Sequence, residues 1–489
     1  MPIKRFTATK DNTITDAYKE NLSTSASLSN MGASDILEVF SIYAQATTSS
    51  LEKSRILIQF PVDEISKARS DGSIPAANSV DFKIKMSNAT HSETLPKNFK
   101  LCINPLTREW SEGVGLDMES YSDADASNWI SSSHAVPWST PGSDYNNSLT
   151  YEKTAHFSGG YEDLNVDVTN IVEAWLAGTI PNYGLLLRLS GAFENGALER
   201  SYFTKRFFGH GSEFFFKKPV IEAQYESSIF DDRGCIFTSS SLSPAKDNLN
   251  SIYLYNKSRG ILSDIPDTGS MLVVQLFSSS LGASAGATPE TLAPAGGVNA
   301  ASPTFITASR VSTGVYKAQF AYAGAKSSLF DIWSTSSSNI ATTLLTGSGF
   351  SIRKNELGSF YENSEYVANV LNMKDSYSQS ENITFRVYTR TKNWKPNIYT
   401  VASNSAPVNN VREGYYRISR VVDDHEIIPY STGSISGKSF SRLSYDISGS
   451  FFDLDMSILE SNYLYEMSFI FKDNDKFKEM KEKFRFRVD

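Results

Sequence analysis

The sequence predicts an all-β protein of three sandwich domains, and three observations predict it. Aromatic residues make up 12% of its 489 positions, with 24 Tyr and 30 Phe, and flat rings suit the pleated, half-buried surface of a sheet. Short apolar runs alternate with polar residues at period two along most of the chain. Ser, Thr, Asn and Gly crowd the gaps between those runs, as turns require. The chain is also longer than one hydrophobic core supports.

The first domain is expected over residues 1–225. In "FKIKM", Phe82, Ile84 and Met86 alternate with Lys83 and Lys85. In "RILIQF", Ile56, Ile58 and Phe60 form one face, and Arg55, Leu57 and Gln59 the other. "ILEVFSIYA", "FKLCI", "LLLRL" and "PVIEAQY" continue the pattern to Tyr225. One segment departs from it. Val168, Ile171, Val172, Trp175 and Leu176 fall at helical spacing, with Asp167 or Thr169 to cap the start and Gly178 to close the end. A single short helix is therefore expected to lie across this sandwich, with Trp175 in the core.

The second domain is expected over 226–350. "SIYLYN", "MLVVQLFSS", "GVYKAQFAY" and "SLFDIW" are spaced like the strands of an immunoglobulin-like sandwich. The tract Leu281–Thr304 interrupts them. It is rich in Ala, Gly, Pro and Ser, and too poor in large side chains to offset its own ordering entropy. It reads as a protruding loop. One reading is a solvent-exposed insertion. The other is an assembly contact, marked by Leu281, Ala283, Pro289, Pro294, Val298 and Thr304, that becomes ordered against a neighbouring subunit.

A second immunoglobulin-like domain is expected over 351–489. "ENITFRVYTR", "YYRISRVV", "SRLSYDISGSFFDLDMSIL" and "YLYEMSFIF" read as strands. In the last strand, Phe484, Phe486 and Val488 alternate with Arg485 and Arg487, and this strand is expected to offer an edge to a neighbouring chain. The tail "KDNDKFKEMKEKFRFRVD" is the one locally basic stretch and reads as a solvated hairpin.

Composition narrows the function. The net charge of −8 argues against duplex nucleic acid as the main partner, because phosphate binding needs concentrated Lys and Arg. Cys102 and Cys235 form no CxxC pair, which leaves no zinc ribbon or disulfide framework. The first twenty residues lack an apolar signal core, and no run of about 18 apolar residues occurs. No membrane association is expected. The protein is expected to be made in a cytosol and to leave it, if at all, as part of a particle.

The stretch Leu106–Trp138 concentrates the candidate chemistry. Glu109, Glu112, Asp117, Glu119, Asp123 and Asp125 offer carboxylates, which glycosidases use in pairs. Trp110, Trp129 and Trp138 offer indoles on which a sugar can stack, and they are the candidate ligand-binding residues. The competing reading is a structural loop, with Trp110 as a plug over the sheet and Gly113 and Gly115 making the reversal. Calcium is the one cofactor the acids leave open. "DMESYSDAD" lacks the central Gly and terminal Glu of an EF-hand, though Asp11, Asn12 and Asp16 add further oxygens. His91, His134, His156, His210 and His425 are scattered and match no catalytic motif. No enzymatic activity and no organic cofactor are expected.

Residues 1–225 resemble the DNRLRE family of β-sandwich domains. The resemblance rests on "KDNTITDAY", "NMGASDILEV", "SRILIQFP", "LTREWSEGVGLD", "NWI…PW", "LNVDVTNIVEAWLAGTIPNYGLLL" and "PVIEAQY", in that order. The arginine motif that names the family is represented only loosely, by "SYFTKRFFG". The resemblance implies a jelly-roll-like sandwich. Such domains occur in secreted and surface proteins, and some are similar to carbohydrate-binding modules. Residues 226–489 resemble the C-terminal part of structural proteins of tailed phages, especially those of marine cyanobacteria, through "SIYLYNKSRG", "TGVYKAQFAY", "FDIWS", "ITFRVYTRTKNWKPNIYTVA" and "FRFRVD". The two resemblances together imply a virion structural protein at the neck, tail, baseplate or head surface. Its expected partners are other virion proteins and further copies of itself within a symmetric particle. The alternative is an adhesin whose first domain holds a host glycan.

Overall fold

The computed structural model describes residues 2–92, 97–195, 201–266, 272–282, 286–296, 303–335, 343–354, 365–392, 394–399, 410–433, 438–473 and 476–489. The expected all-β class is observed. The chain groups into two compact units, Pro2–Glu226 and Ser227–Asp489.

The strands of the first unit are β1 (Ile3–Thr7), β2 (Lys10–Thr15), β3 (Ile36–Tyr43), β4 (Leu51–Gln59), β5 (Asp81–Met86), β6 (Phe99–Pro105), β7 (Ser131–Ser133), β8 (Val136–Pro137), β9 (Lys153–Phe157), β10 (Leu164–Asp167), β11 (Leu185–Leu189), β12 (Ser201–Phe208) and β13 (Val220–Gln224). A four-stranded sheet runs β1-β13-β5-β10. A seven-stranded sheet runs β12-β3-β4-β11-β6-β9, with β2 also pairing with β4. Every pairing is antiparallel. The core between the sheets takes Phe82, Ile84 and Met86 from β5, Ile56 and Ile58 from β4, and Leu185 and Leu187 from β11. β5 keeps the expected alternation because its other face stays partly open.

β4 and β11 do not. Leu57 and Leu186 point away from that core, yet neither is exposed to solvent. A second, smaller core covers them, made of Ile14, Leu106, Trp110, Trp129 and Trp138. The long loop after β6 thus lies over the outer face of the sheet. Two strands in mid-sheet are buried on both sides, and in each the alternation gives way to three apolar residues in a row, Ile56–Ile58 and Leu185–Leu187.

The expected helix is present as α2 (Thr169–Leu176), with Ile171, Val172 and Trp175 buried. The Asp167 carboxylate accepts from the Thr169 N–H at 2.9 Å, and Gly178 takes a left-handed φ of 67° just after the end. It is not the only helix. α1 (Val62–Ser70) follows Pro61, with Asp63 and Glu64 in its first turn and Lys67 and Arg69 in its last. That charge order complements the helix dipole. Arg69 grips Glu173 of α2 with two bonds of 2.7 Å.

The second unit contains two pairs of sheets, and the strand Phe350–Arg353, across the expected boundary, belongs to the first of them. The first pair has a six-stranded sheet built on Val273–Phe277, Ser328–Ser334 and Phe350–Arg353, and a three-stranded sheet of Asn250–Tyr255, Val315–Phe320 and Ser309–Ser312. Trp333, Tyr322, Leu276 and Ile252 lie between them. The second pair has a four-stranded sheet around Asn382–Thr391 and Gly449–Asp455, and a six-stranded sheet around Gly414–Arg420, Tyr463–Asp473 and Phe484–Val488. Its core is aromatic, with Tyr416 stacked on Phe452 at 4.1 Å between centroids. One short stretch belongs to both pairs. Phe230 bridges to Tyr445 in the second pair, while Ile236–Phe237 pairs with Ile352–Arg353 in the first.

Two expectations for this unit are corrected. The tract Leu281–Thr304 is not simply a protruding loop. Leu292 is fully buried in the core of the first sheet pair. The Ala293 and Ala321 backbones exchange two bonds of 2.9 Å, and the Glu290 N–H donates to the Leu276 carbonyl at 2.9 Å. One large side chain and a few backbone bonds fold the middle of the tract back onto the domain. Leu281 is exposed, Pro294 is exposed, Pro289 and Thr304 are half-buried, and Ala283 and Val298 lie outside the described residues. The last strand, Phe484–Val488, is not a free edge either, because it lies between Ser376–Tyr377 and Tyr463–Asp473. The basic tail does form the expected hairpin, with exposed Lys476–Glu479 antiparallel to the strand before it.

Candidate functional site

The loop between β6 and β9 holds most of the side chains singled out in the sequence. Its three indoles face inward. Trp110 is 3% exposed, Trp129 6% and Trp138 4%. Trp110 Nε1 donates to the Tyr183 carbonyl at 2.8 Å, and Trp138 Nε1 to the Asn128 carbonyl at 2.8 Å. Trp129 lies against the Arg55 guanidinium, 5.2 Å from its ring centre. Arg55 is itself buried, donating to Glu194 Oε1 at 2.7 Å and to the Gly142 carbonyl at 2.6 Å. The indole faces are therefore covered by protein and present no surface on which a sugar can stack.

The loop's acids mostly serve the loop. Asp117 Oδ1 accepts from the N–H groups of Glu119, Ser120 and Tyr121 at 2.8, 2.7 and 3.1 Å, and these bonds lower its pKa. Asp123 accepts from the N–H groups of Val114 and Asp125 at 3.1 and 3.0 Å. Asp125 pairs with His134 at 2.9 Å in the open. Glu119 accepts from the Glu20 N–H at 2.6 Å, and Glu109 is exposed. These bonds hold turns and join the loop to residues 17–31.

Two asparagines complete that joint. Asn12 Nδ2 donates to the Ser127 carbonyl at 2.9 Å, while its Oδ1 accepts from the Met31 N–H at 3.0 Å. Asn30 donates to the carbonyls of Glu112 and Ser127 at 2.5 and 2.7 Å. The reversal at Gly113 and Gly115 passes beside it. Gly113 has a φ of 85°, and a Cβ on Gly115 would lie 1.9 Å from the Asn30 carbonyl oxygen. Only glycine passes there.

One acid is turned to a different use. Glu112 meets Asp11, from β2, and His210, just after β12; among the described residues they are the only group of three with metal-ligand chemistry in mutual reach. Asp11 is fully buried, and Glu112 and His210 keep about a quarter of their side chains exposed, 25% and 27%. The backbone fixes all three. The His210 N–H donates to Asp11 Oδ2 at 2.6 Å, and the Asp11 N–H donates to Glu112 Oε1 at 2.7 Å. His210 Nδ1 then lies 3.1 Å from Asp11 Oδ1 and 3.5 Å from Glu112 Oε1. Asp11 beside the ring raises the pKa of His210, and burial raises that of Glu112. Asp16, whose oxygens the sequence also offered, instead accepts from the Lys53 N–H at 2.7 Å. Asn12 is taken up by its bonds to Ser127 and Met31.

No family model matches the sequence, and no curated protein matches it. Among solved structures, a marsupial T cell receptor is 7% identical over 52% of this chain and 70% of its own, with a TM-score of 0.16. Trypsin-activated alpha-2-macroglobulin from Escherichia coli is 6% identical over 89% of this chain and 24% of its own, also with a TM-score of 0.16. Its native conformation is 9% identical, covering 94% of this chain and 20% of its own, at the same TM-score. Likenesses at this level carry no functional argument.

Proposed function

We propose that this chain is a structural component of a phage particle, at the neck, tail, baseplate or head surface, and that it acts through protein-protein contacts and not through catalysis. The observation that carries the reading is a display of apolar side chains on two loops that are hydrogen-bonded to each other. The loops 17–31 and 112–122 are bonded to each other through Asn30, Ser29 and Lys19. They nevertheless expose Leu22, Leu28, Val114, Leu116 and Tyr121, with Val114 at 78% and Tyr121 at 66%. Large apolar groups held out on a pinned surface suit a neighbouring protein. The sequence resemblance to tailed-phage structural proteins supports the same reading. The test is the double variant Leu116→Asp, Tyr121→Asp in the source phage. The purified variant should melt like the wild type, and mass spectrometry of purified particles should find it depleted. Normal incorporation, or absence of the wild-type chain from particles, overturns the proposal.

A host-glycan adhesin is the second reading, and a groove favours it. Phe40, Ile42, Tyr202, Glu38, Glu52 and Arg206 line an open groove of about 590 Å³ on the first unit, beside the apolar loops. It mixes a phenol with charged hydrogen-bonding groups, as sugar sites do. Binding of the isolated protein to host-surface polysaccharide, abolished by Tyr202→Ala, would favour this reading.

A further inference from the structure

We propose that Asp11, Glu112 and His210 form a binding site for a divalent transition cation of the zinc type. Two buried atoms lie within ion-pair distance but make no aligned hydrogen bond. Asp11 is fully buried, and its Oδ1 has no hydrogen-bond donor. His210 Nδ1 is buried as well and makes no aligned hydrogen bond, although it faces that oxygen at 3.1 Å. A buried carboxylate oxygen left without a donor is costly. Two such atoms, 3.1 Å apart, have the separation of neighbouring ligands around an ion. Donor atoms bound to one zinc-sized ion lie roughly 3.0–3.5 Å apart, as bonds of about 2.0–2.2 Å require. The observed separations from Nδ1 are 3.1 and 3.5 Å.

The supports around the ligands fit the same assignment. Asp11 uses Oδ2 for the His210 N–H, which fixes the carboxylate and leaves Oδ1 to point inward. Asn30 holds the Glu112 carbonyl, so this residue cannot drift from the site. Orienting bonds of this kind accompany metal ligands and tune them. The donor set selects the ion. An imidazole nitrogen is a poor ligand for calcium, which prefers a cage of six or more oxygens, and a good one for zinc and its neighbours. Three protein ligands with partial exposure leave a position for water. The ion would tie together β2, the indole loop and the turn after β12, segments separated by 101 and 199 positions along the chain.

The test uses the full chain, stripped of metal with a chelator and titrated with Zn²⁺ or with Ca²⁺. Calorimetry should give a single zinc ion per chain, a higher melting temperature with zinc, and no response to calcium. Glu112→Gln and His210→Gln should each weaken zinc binding by roughly tenfold or more, as loss of a ligand or its support does. Glu112→Gln keeps an acceptor for the Asp11 N–H, so its fold should persist. X-ray absorption of the zinc-loaded wild type is independent of any variant and should show oxygen and nitrogen neighbours, including one imidazole. No zinc uptake by the wild type, unchanged uptake in both variants, or sulfur in the coordination shell would each overturn the assignment.

Discussion

Lys85 and Glu222 form an ion pair of 2.6 Å across neighbouring strands, and Arg5 closes the carboxylate's other side at 2.8 Å. Glu222 is 1% exposed. Burial works against its charge, but Arg5 and Lys85 together outweigh that and hold its pKa down to about 2. Glu222→Gln leaves two cations facing a neutral amide, so it should cost roughly 3–5 kcal/mol at neutral pH, measured by urea denaturation. The sign of the pH dependence follows from the depressed pKa. The carboxylate's contribution is complete above about 4.5 and drains away as pH falls toward 2. The gap between wild type and variant should close over that window, and a gap constant with pH would contradict the assignment.

Asp16 runs in the opposite direction. Burial pushes its pKa up to about 6, and the opposing bond from the Lys53 N–H does not offset it. The folded state then holds this proton more tightly than the unfolded state, so stability falls as pH rises from about 4 to 6. Asp16→Asn keeps the oxygen that accepts from Lys53 and removes the charge. Its melting temperature should exceed the wild type's by a few degrees at pH 7 and converge with it below about pH 4. Equal curves at pH 7 would show that the carboxylate is solvated.

Trp175 lies on the buried stripe of α2 at 5% exposure. Trp175→Ala should cost roughly 3–5 kcal/mol, the usual result of emptying a buried indole site. An unchanged melting curve would mean that the helix does not dock through this ring.

Leu292 gives the tract Leu281–Thr304 a role in stability. Leu292→Ala should destabilise the second unit by roughly 2–5 kcal/mol. Deleting 283–300 should cost at least as much, because the deletion removes Leu292 along with the chain around it. A deletion with the wild-type melting temperature would restore the reading of a plain surface loop, since loop length alone has little effect.

Sequence periodicity was legible wherever one face of a strand meets water. β5 alternates in the sequence and in the fold. β4 and β11 hid their second face, because the residues that cover Leu57 and Leu186 come from a loop dozens of positions away. α1 was missed because Val62, Ile65 and Ala68 make a thin stripe; the order of its charges, acids first and bases last, was the available signal. The tract near 290 was misjudged from its average composition, which a single leucine barely alters. The cluster of Asp11, Glu112 and His210 had no local signature at all. No spacing rule connects positions so far apart, and only the pairing of β2 in mid-sheet and the pinning of the indole loop bring them together.

The indole layer also sets which changes this chain can absorb over generations. In an ordinary two-layer sandwich, Leu57 and Leu186 would be outward positions, free to drift toward lysine or threonine. Here they belong to a core shared with Trp110, Trp129 and Trp138. A polar replacement at either leucine would be trapped beneath the loop. Loss of an indole would uncover two apolar strands in the middle of the sheet and make a sticky surface. Loop and strands are therefore bound to change together, so homologous chains should pair bulky loop aromatics with apolar residues at both strand positions, or lack both.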